Sequence, residues 1–383
     1  MVENTMLIVV IGVALCFILV LAWLLLRRGK PTTERSPYIE ALNALVANDR
    51  QSAIQKLRET VRIDSQNIDA YLKLGILLRE EGDIDRALKI HKSLTVRPLS
   101  PIQRMDVLSA VASDYLAGGK MNHARRVVDE ILSLDKRNIW AHETLLRICE
   151  ETNAWDKAYE TLKQIQRLRG QEDRELLALY KVYAGHALDD RGEHHKARLT
   201  YKEALRIDDH CTAAYLSLGD SYVAEKRLDD AVIYWKKLME MVPEHAFLCF
   251  ERLERTQFEL GNFSSMIQIY GDLLQRRPED HRSLCAFVRI QEKMGHIDEA
   301  IALCRGTLER DPTSQEARWC LVRCYHSKGD NGQAIKYALD LEKGFRGQSG
   351  FTCRSCGYHS REVLWRCPRC KHWRTFVPAR RRK

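Results

Sequence analysis

Two patterns of apolar and polar positions divide this chain. The first is unbroken: Met6 to Leu26 is a run of 21 residues without a charge. At 1.5 Å per residue, about 20 helical residues cross the hydrocarbon core of a bilayer. A buried globular helix is rarely apolar on every face for such a length. Glu3 is the only charged side chain before the run, so the basic leader of a cleaved signal is not seen, and an uncleaved transmembrane helix is expected. Arg27, Arg28 and Lys30 follow at once, with no Lys or Arg ahead of the run. That asymmetry predicts a single-pass protein with its bulk on the cytoplasmic side. Residues 1–28 are read as the anchor and 29–37 as a short linker.

The second pattern has helical period and repeats. Gly82-Asp83-Ile84-Asp85-Arg86-Ala87 recurs as Lys226-Arg227-Leu228-Asp229-Asp230-Ala231, Gly295-His296-Ile297-Asp298-Glu299-Ala300 and Gly329-Asp330-Asn331-Gly332-Gln333-Ala334. Each begins at a turn and places a small residue early in a second helix. The small-residue positions are Ala53, Ala87, Ala124, Ala158, Ala197, Ala231, Met266 (out of character), Ala300 and Ala334. Five of their eight separations are 34 residues, the tetratricopeptide period, and the others are 35, 37 and 39. Tyr71-Leu72-Lys73-Leu74-Gly75 and Tyr215-Leu216-Ser217-Leu218-Gly219 each end twelve residues before the marked Ala. Gly or Ala there lets paired helices approach closely. The expected fold is all-α: nine tetratricopeptide-like repeats over 38–345, a superhelical solenoid. The longer intervals predict small insertions at turns or lengthened helices.

Charge sharpens this picture. The formal net charge is +9, and residues 351–383, with ten basic side chains and one acid, carry all of it. A neutral body with a basic tip does not have the stripe of a nucleic-acid binder. The tail Arg380-Arg381-Arg382-Lys383, within the segment 378–383, can equally face anionic lipid; nucleic acid is not the expected partner. Cys149, Cys211, Cys249, Cys285, Cys304, Cys320 and Cys324 fall irregularly in helical pattern, as small buried hydrophobes do. A reducing compartment is the simpler reading.

The sharpest chemistry lies at 351–377. Cys353-Arg354-Ser355-Cys356 is followed, after ten residues, by Cys367-Pro368-Arg369-Cys370. Two such pairs place four thiolates around one tetrahedral metal. A module of this size builds little core and needs the metal to fold. Zinc is the default and iron the rival. Four cysteine ligands leave no open coordination position, so the site is structural. Phe351, Tyr358, Trp365, Trp373 and Phe376 are expected to form the module's core or its contact with the last helices.

By resemblance to tetratricopeptide proteins, the first helix of each repeat lines an inner face that binds proteins or peptides. Solvent-facing candidates for a client are Arg79, Glu80, Asp220, Arg289, Glu292, Lys293, Arg323 and His326. No catalytic residues are expected: His194 and His195, or His186 with Asp189 and Asp190, lack a nucleophile or third ligand and are read as surface residues. The module is expected to cap the last repeat, which would otherwise expose an apolar edge after Ala334.

A single span, a basic stop, tetratricopeptide-like repeats and a terminal rubredoxin-like (zinc-ribbon) module carrying CRSCGY and CPRC together resemble the lipopolysaccharide assembly protein B family of Gram-negative bacteria. Rubredoxins proper separate their two pairs by much more, so the electron-carrier role is disfavoured. The resemblance implies a non-enzymatic regulatory adaptor at the inner membrane. It implies three kinds of partner: the FtsH protease, the UDP-acyl-N-acetylglucosamine deacetylase of the lipid A pathway, whose degradation the family promotes, and inner-membrane lipopolysaccharide assembly proteins. A non-proteolytic scaffold is the alternative, and a homo-oligomer is left open.

Overall fold

The computed structural model describes residues 36–342 and 350–378. The expected span, nearly all of the linker and the tail from residue 379 lie outside the described residues. Among those described, no helix is long and apolar enough to cross a membrane. The described residues form eighteen α-helices in pairs: α1 (Pro37–Val46) with α2 (Arg50–Ile63), α3 (Ile68–Glu80) with α4 (Ile84–Thr95), and α5 (Pro101–Ala117) with α6 (Met121–Leu134). Next come α7 (Ile139–Glu151) with α8 (Trp155–Arg169), α9 (Arg174–Asp189) with α10 (His194–Ile207), and α11 (Thr212–Ala224) with α12 (Leu228–Met241). A 3₁₀ segment, Pro243–Cys249, leads into α13 (Phe250–Glu259), paired with α14 (Ser265–Arg276). The last pairs are α15 (His281–Lys293) with α16 (Ile297–Arg310) and α17 (Gln315–Lys328) with α18 (Asn331–Glu342). Two compact units, Met1–Ala141 and His142–Lys383, divide the chain within α7.

The turn inside each pair obeys one rule. Asn48, Gly82, Gly119, Asn153, Gly192, Lys226, Gly261, Gly295 and Gly329 all have positive φ, and each stands five residues before a marked small residue. A left-handed residue ends the first helix, and the carboxylate that follows can start the second: Asp83 accepts the Arg86 N–H at 3.3 Å. Glycine or asparagine suits such a position because a β-carbon costs most other residues about 1–2 kcal/mol there. Lys226 is the exception.

The marked residues themselves are buried, Met266 included, so this larger side chain is accommodated rather than expelled. Close approach is visible at Gly75, Gly185 and Gly219, each twelve residues before a marked Ala. A β-carbon on them would lie 2.3, 2.2 and 2.1 Å from the rings of His91, Tyr201 and Trp235 respectively. Those rings, four residues after the same Ala, are fully buried. The glycine is thus the hole, and the ring on the partner helix is the knob.

Two of the longer intervals come chiefly from lengthened first helices. α5 has 17 residues and α9 has 16, against 13 in α3, α11 and α15. The cysteines of the array behave as small core residues: all are buried except Cys285, which is half-exposed. Ile335 and Leu339 on α18 remain about 60% exposed.

The C-terminal module is a three-stranded antiparallel sheet, β1 (Phe351–Cys353), β2 (His359–Ser360) and β3 (Phe376–Pro378), in the order β2-β1-β3.

Candidate metal centre and its seat on the repeats

The two cysteine pairs form matching knuckles. Gly357 N–H donates to the Cys353 carbonyl at 3.0 Å, and Lys371 N–H donates to that of Cys367 at 2.9 Å. Each loop then closes back: Cys353 N–H donates to the Tyr358 carbonyl and Cys367 N–H to the His372 carbonyl, both at 2.9 Å. Gly357 and Lys371, just past the second cysteine of each pair, have positive φ. This geometry tips backbone N–H groups toward sulfur.

All four sulfurs lie within 4.8 Å of one another. Cys353 Sγ is 3.7 Å from Cys370 Sγ, and Cys356 Sγ is 3.6 Å from Cys367 Sγ. A tetrahedron with metal–sulfur bonds of about 2.3 Å has edges of about 3.8 Å. The set therefore fits one tetrahedral ion, and among the described residues no further ligand joins the four.

The electrostatics favour the thiolate at Cys353 and Cys367. Burial opposes ionisation of Cys353, but the Thr375 hydroxyl and the N–H groups of Cys356 and Ser355 outweigh it and hold that thiol down to about 6. Burial likewise opposes ionisation of Cys367, and the N–H groups of Cys370 and Arg369 hold it below the ordinary thiol range. For Cys370, the His372 N–H favours the thiolate, but burial and the three neighbouring sulfurs prevail and push it up to about 12. Like charges crowd the site, and a cation relieves that crowding.

Among the described residues, the module is seen to contact earlier pairs and not the last one. It docks on the first helices of earlier pairs. Arg366 and Trp373 face each other across the second knuckle as bridge partners, and both donate to Glu150 on α7. Arg366 reaches Glu150 Oε2 at 2.7 Å and the Trp373 indole N–H reaches Oε1 at 3.3 Å. The Tyr180 hydroxyl donates to the same carboxylate. Burial first, and then this carboxylate, pushes Tyr180 up. The Trp373 ring lies 4.8 Å from Tyr180, 5.0 Å from Tyr183 and 6.3 Å from Trp155. Arg374 adds ion pairs to Asp173 and Glu175 at the start of α9, at 2.5 and 2.8 Å. Phe351 stacks against Phe247 in the 3₁₀ segment, while Tyr358 meets Phe376 inside the module.

The chemical reason for this placement is one charged group on each side. Glu150 is a carboxylate among aromatic rings, and Arg366 is a cation on a small module; each is only 12% exposed once they pair. Local sequence carried no signal of the pairing beyond the density of aromatic residues in both segments.

Most of the candidate client residues are engaged with each other or with neighbours one repeat away. Arg79 pairs with the fully buried Asp114 at 2.7 Å, and Asp114 also binds His91 at 2.6 Å. Glu80 pairs with Arg50 at 3.3 Å. Asp220 is gripped by Arg252 at 2.8 and 3.1 Å. Arg289 pairs with Glu254 at 2.5 Å, and Arg323 with Glu292. Lys293 sits 5.5 Å from the Phe263 ring centroid, and His326 is exposed. Glu150 stands eight residues before Ala158, as Glu292 does before Ala300 and His326 before Ala334. The module thus uses a repeat position equivalent to one assigned to clients.

The reading of His186, Asp189 and His194 as surface residues is corrected: all three are half-buried. Asp189 accepts from the Tyr201 hydroxyl at 2.6 Å and the Ser221 hydroxyl at 3.0 Å, and pairs with His194 at 2.8 Å. His186 Nε2 lies 2.8 Å from the Ser217 hydroxyl, and burial lowers its pKa. These contacts tie α9, α10 and α11 together.

Comparison with known proteins agrees with both parts. A rubredoxin metal binding domain model matches residues 351–378, and a tetratricopeptide repeat model matches 184–243 and 285–349. Lipopolysaccharide assembly protein B of Escherichia coli strain K12 is 23% identical over 354 residues, covering 90% of this chain and 89% of that protein. Its Haemophilus influenzae counterpart is 25% identical over 363 residues, covering 89% of each. Among solved structures, a MamA protein aligns over 48% of this chain and 95% of its own, at 24% identity and a TM-score of 0.32. Along nine-tenths of its length, repeats and four-cysteine module alike, this chain is similar to lipopolysaccharide assembly protein B.

Proposed function

We propose that the protein is a membrane-anchored, non-enzymatic adaptor of lipopolysaccharide biosynthesis. The observation that carries this is the similarity to lipopolysaccharide assembly protein B over 90% of the chain, including the terminal metal module. In this reading residues 1–28 hold the chain in the inner membrane with its repeats, residues 38–345, in the cytoplasm. Tethering raises the effective concentration of partners in the same bilayer. The face of the first helices receives a client, with Lys293 and His326 and the rims of the ion pairs at Arg79, Glu80, Asp220, Arg289, Glu292 and Arg323 as the contact candidates. Cys353, Cys356, Cys367 and Cys370 hold zinc, which supplies shape and no reactivity.

The finer assignment is that the client is the UDP-acyl-N-acetylglucosamine deacetylase and that the adaptor presents it to the FtsH protease, in company with lipopolysaccharide assembly proteins. The test is the lifetime of that deacetylase in cells with and without this protein. A longer lifetime in its absence supports presentation to the protease. An unchanged lifetime removes that step and leaves a scaffold that joins biosynthetic proteins without proteolysis.

A further inference from the structure

We propose that the metal centre and the repeats are energetically coupled through one carboxylate, Glu150, so that loss of the metal undocks the module and uncovers the seat formed by Trp155, Tyr180 and Tyr183. The coupling does not depend on which proteins the repeats bind.

The argument starts from the second knuckle. Arg366 immediately precedes Cys367, and Trp373 lies three residues past Cys370. Their pairing as bridge partners is enforced by the bonds that close the knuckle between them: Cys367 N–H to the His372 carbonyl, Lys371 N–H to the Cys367 carbonyl, and Arg374 N–H to the Trp365 carbonyl at 2.7 Å. Glu150 divides its two oxygens accordingly, Oε2 to Arg366 and Oε1 to Trp373 and Tyr180. The carboxylate therefore recognises the two module donors as a set, held apart at a fixed distance.

That fixed distance depends on the four thiolates staying together. So small a module, with two- and three-residue strands, lacks the core to keep it otherwise. With the knuckle slack, Arg366 and Trp373 meet Glu150 one at a time, and the ordering of each side chain is no longer shared. The converse follows by linkage: whatever the metal contributes to docking, docking contributes equally to metal retention. Arg374 with Asp173 and Glu175 is a more exposed contact and adds less, because solvent screens it.

The test uses the full-length, zinc-loaded protein in lipid nanodiscs under reducing conditions. Hydrogen exchange is followed in peptides covering 143–151 and 174–186, with 228–241 as the internal control. Removing zinc with a chelator should raise exchange in the first two regions and leave the third unchanged. Glu150→Gln should open the same two regions with zinc still bound. It should also lower zinc affinity, read by chelator competition, by roughly 5- to 150-fold, the usual range of coupling between linked sites. Unchanged exchange at 143–186 after zinc removal overturns the proposal, as does wild-type zinc affinity in Glu150→Gln. Should zinc removal also open 228–241, the Glu150→Gln affinity decides alone: weakened supports the coupling, unchanged refutes it.

Discussion

Trp373 stacks on Tyr180 with ring centroids 4.8 Å apart and planes inclined by 25°, so a residue of the metal module completes the aromatic core of a repeat. Replacing Trp373 by Ala should destabilise the C-terminal unit by about 2–4 kcal/mol, toward the low end of buried aromatic truncations because the ring is only half-buried. Trp373→Phe keeps a ring in the seat and loses the donor to Glu150, which should cost about 1 kcal/mol. Calorimetric unfolding of the two variants separates these contributions; equal losses would mean that stacking contributes nothing.

Gly219 has no room for a methyl group: a β-carbon there would lie 2.1 Å from the indole nitrogen of the fully buried Trp235. Gly219→Ala should cost about 1–3 kcal/mol through forced displacement of that ring, despite the better helix propensity of alanine. Pairing it with Trp235→Phe, which shortens the knob, should recover part of the loss. Additive losses in the double variant would show that the glycine matters for some other reason.

Lys226 occupies the one turn position of the nine that is neither glycine nor asparagine, at φ +60°. Lys226→Gly should stabilise the C-terminal unit by about 0.5–1 kcal/mol, the left-handed strain relieved less the added freedom of the unfolded chain. Gly295→Ala, in the equivalent place, should do the reverse. Urea midpoints at constant m-value check both signs.

A feature of this protein is legible in its sequence to the extent that it is local. Ala87, Gly82 and Gly75 announce the helix pair because their roles are set by residues of the same 34-residue repeat. Cys353, Cys356, Cys367 and Cys370 announce a metal for the same reason. The Glu292–Arg323 pair could have been read by laying consecutive repeats in register, since its partners are separated by 31 residues. The seat of Trp373 could not, because Glu150 lies 223 residues earlier and no repeat register links the module to α7. The expectation of a terminal cap assumed that the module covers whatever apolar edge is nearest in sequence. The place of the module is set instead by the half-buried Glu150 carboxylate and three rings, while Ile335 and Leu339 stay exposed.

Acid should release the metal in a predictable direction. Cys353 has its folded-state pKa lowered from 9.0 to about 6, so the native state binds fewer protons than the unfolded one between those values. Its stabilising contribution is complete above about pH 9 and is lost as pH falls through about 6. Metal competes for the same thiolate and moves the loss lower still. Titration with a chromophoric chelator should find retention at pH 7 and release only below about pH 6. Thr375→Val removes the hydroxyl 3.1 Å from Cys353 Sγ and should shift release to higher pH. A shift the other way would show that the hydroxyl does not favour the thiolate.

Ion pairing along the first helices makes simple truncation a poor probe of client binding. Arg79→Ala strips the buried Asp114 of one of its two partners and should destabilise the N-terminal unit by about 3–5 kcal/mol, so lost binding would follow from lost structure. A charge exchange avoids this. Glu292→Arg combined with Arg323→Glu preserves an ion pair between α15 and α17 while inverting the local field beside the exposed Lys293 and His326. The pair is partly exposed, so the exchange should alter stability by no more than about 1 kcal/mol. If this face meets a client, in-cell crosslinking from position 326 should capture markedly less protein in the exchanged variant than in the wild type, at equal protein level and thermal midpoint. Equal capture with a conserved midpoint would assign these charges to the cohesion of the repeats and move the client elsewhere.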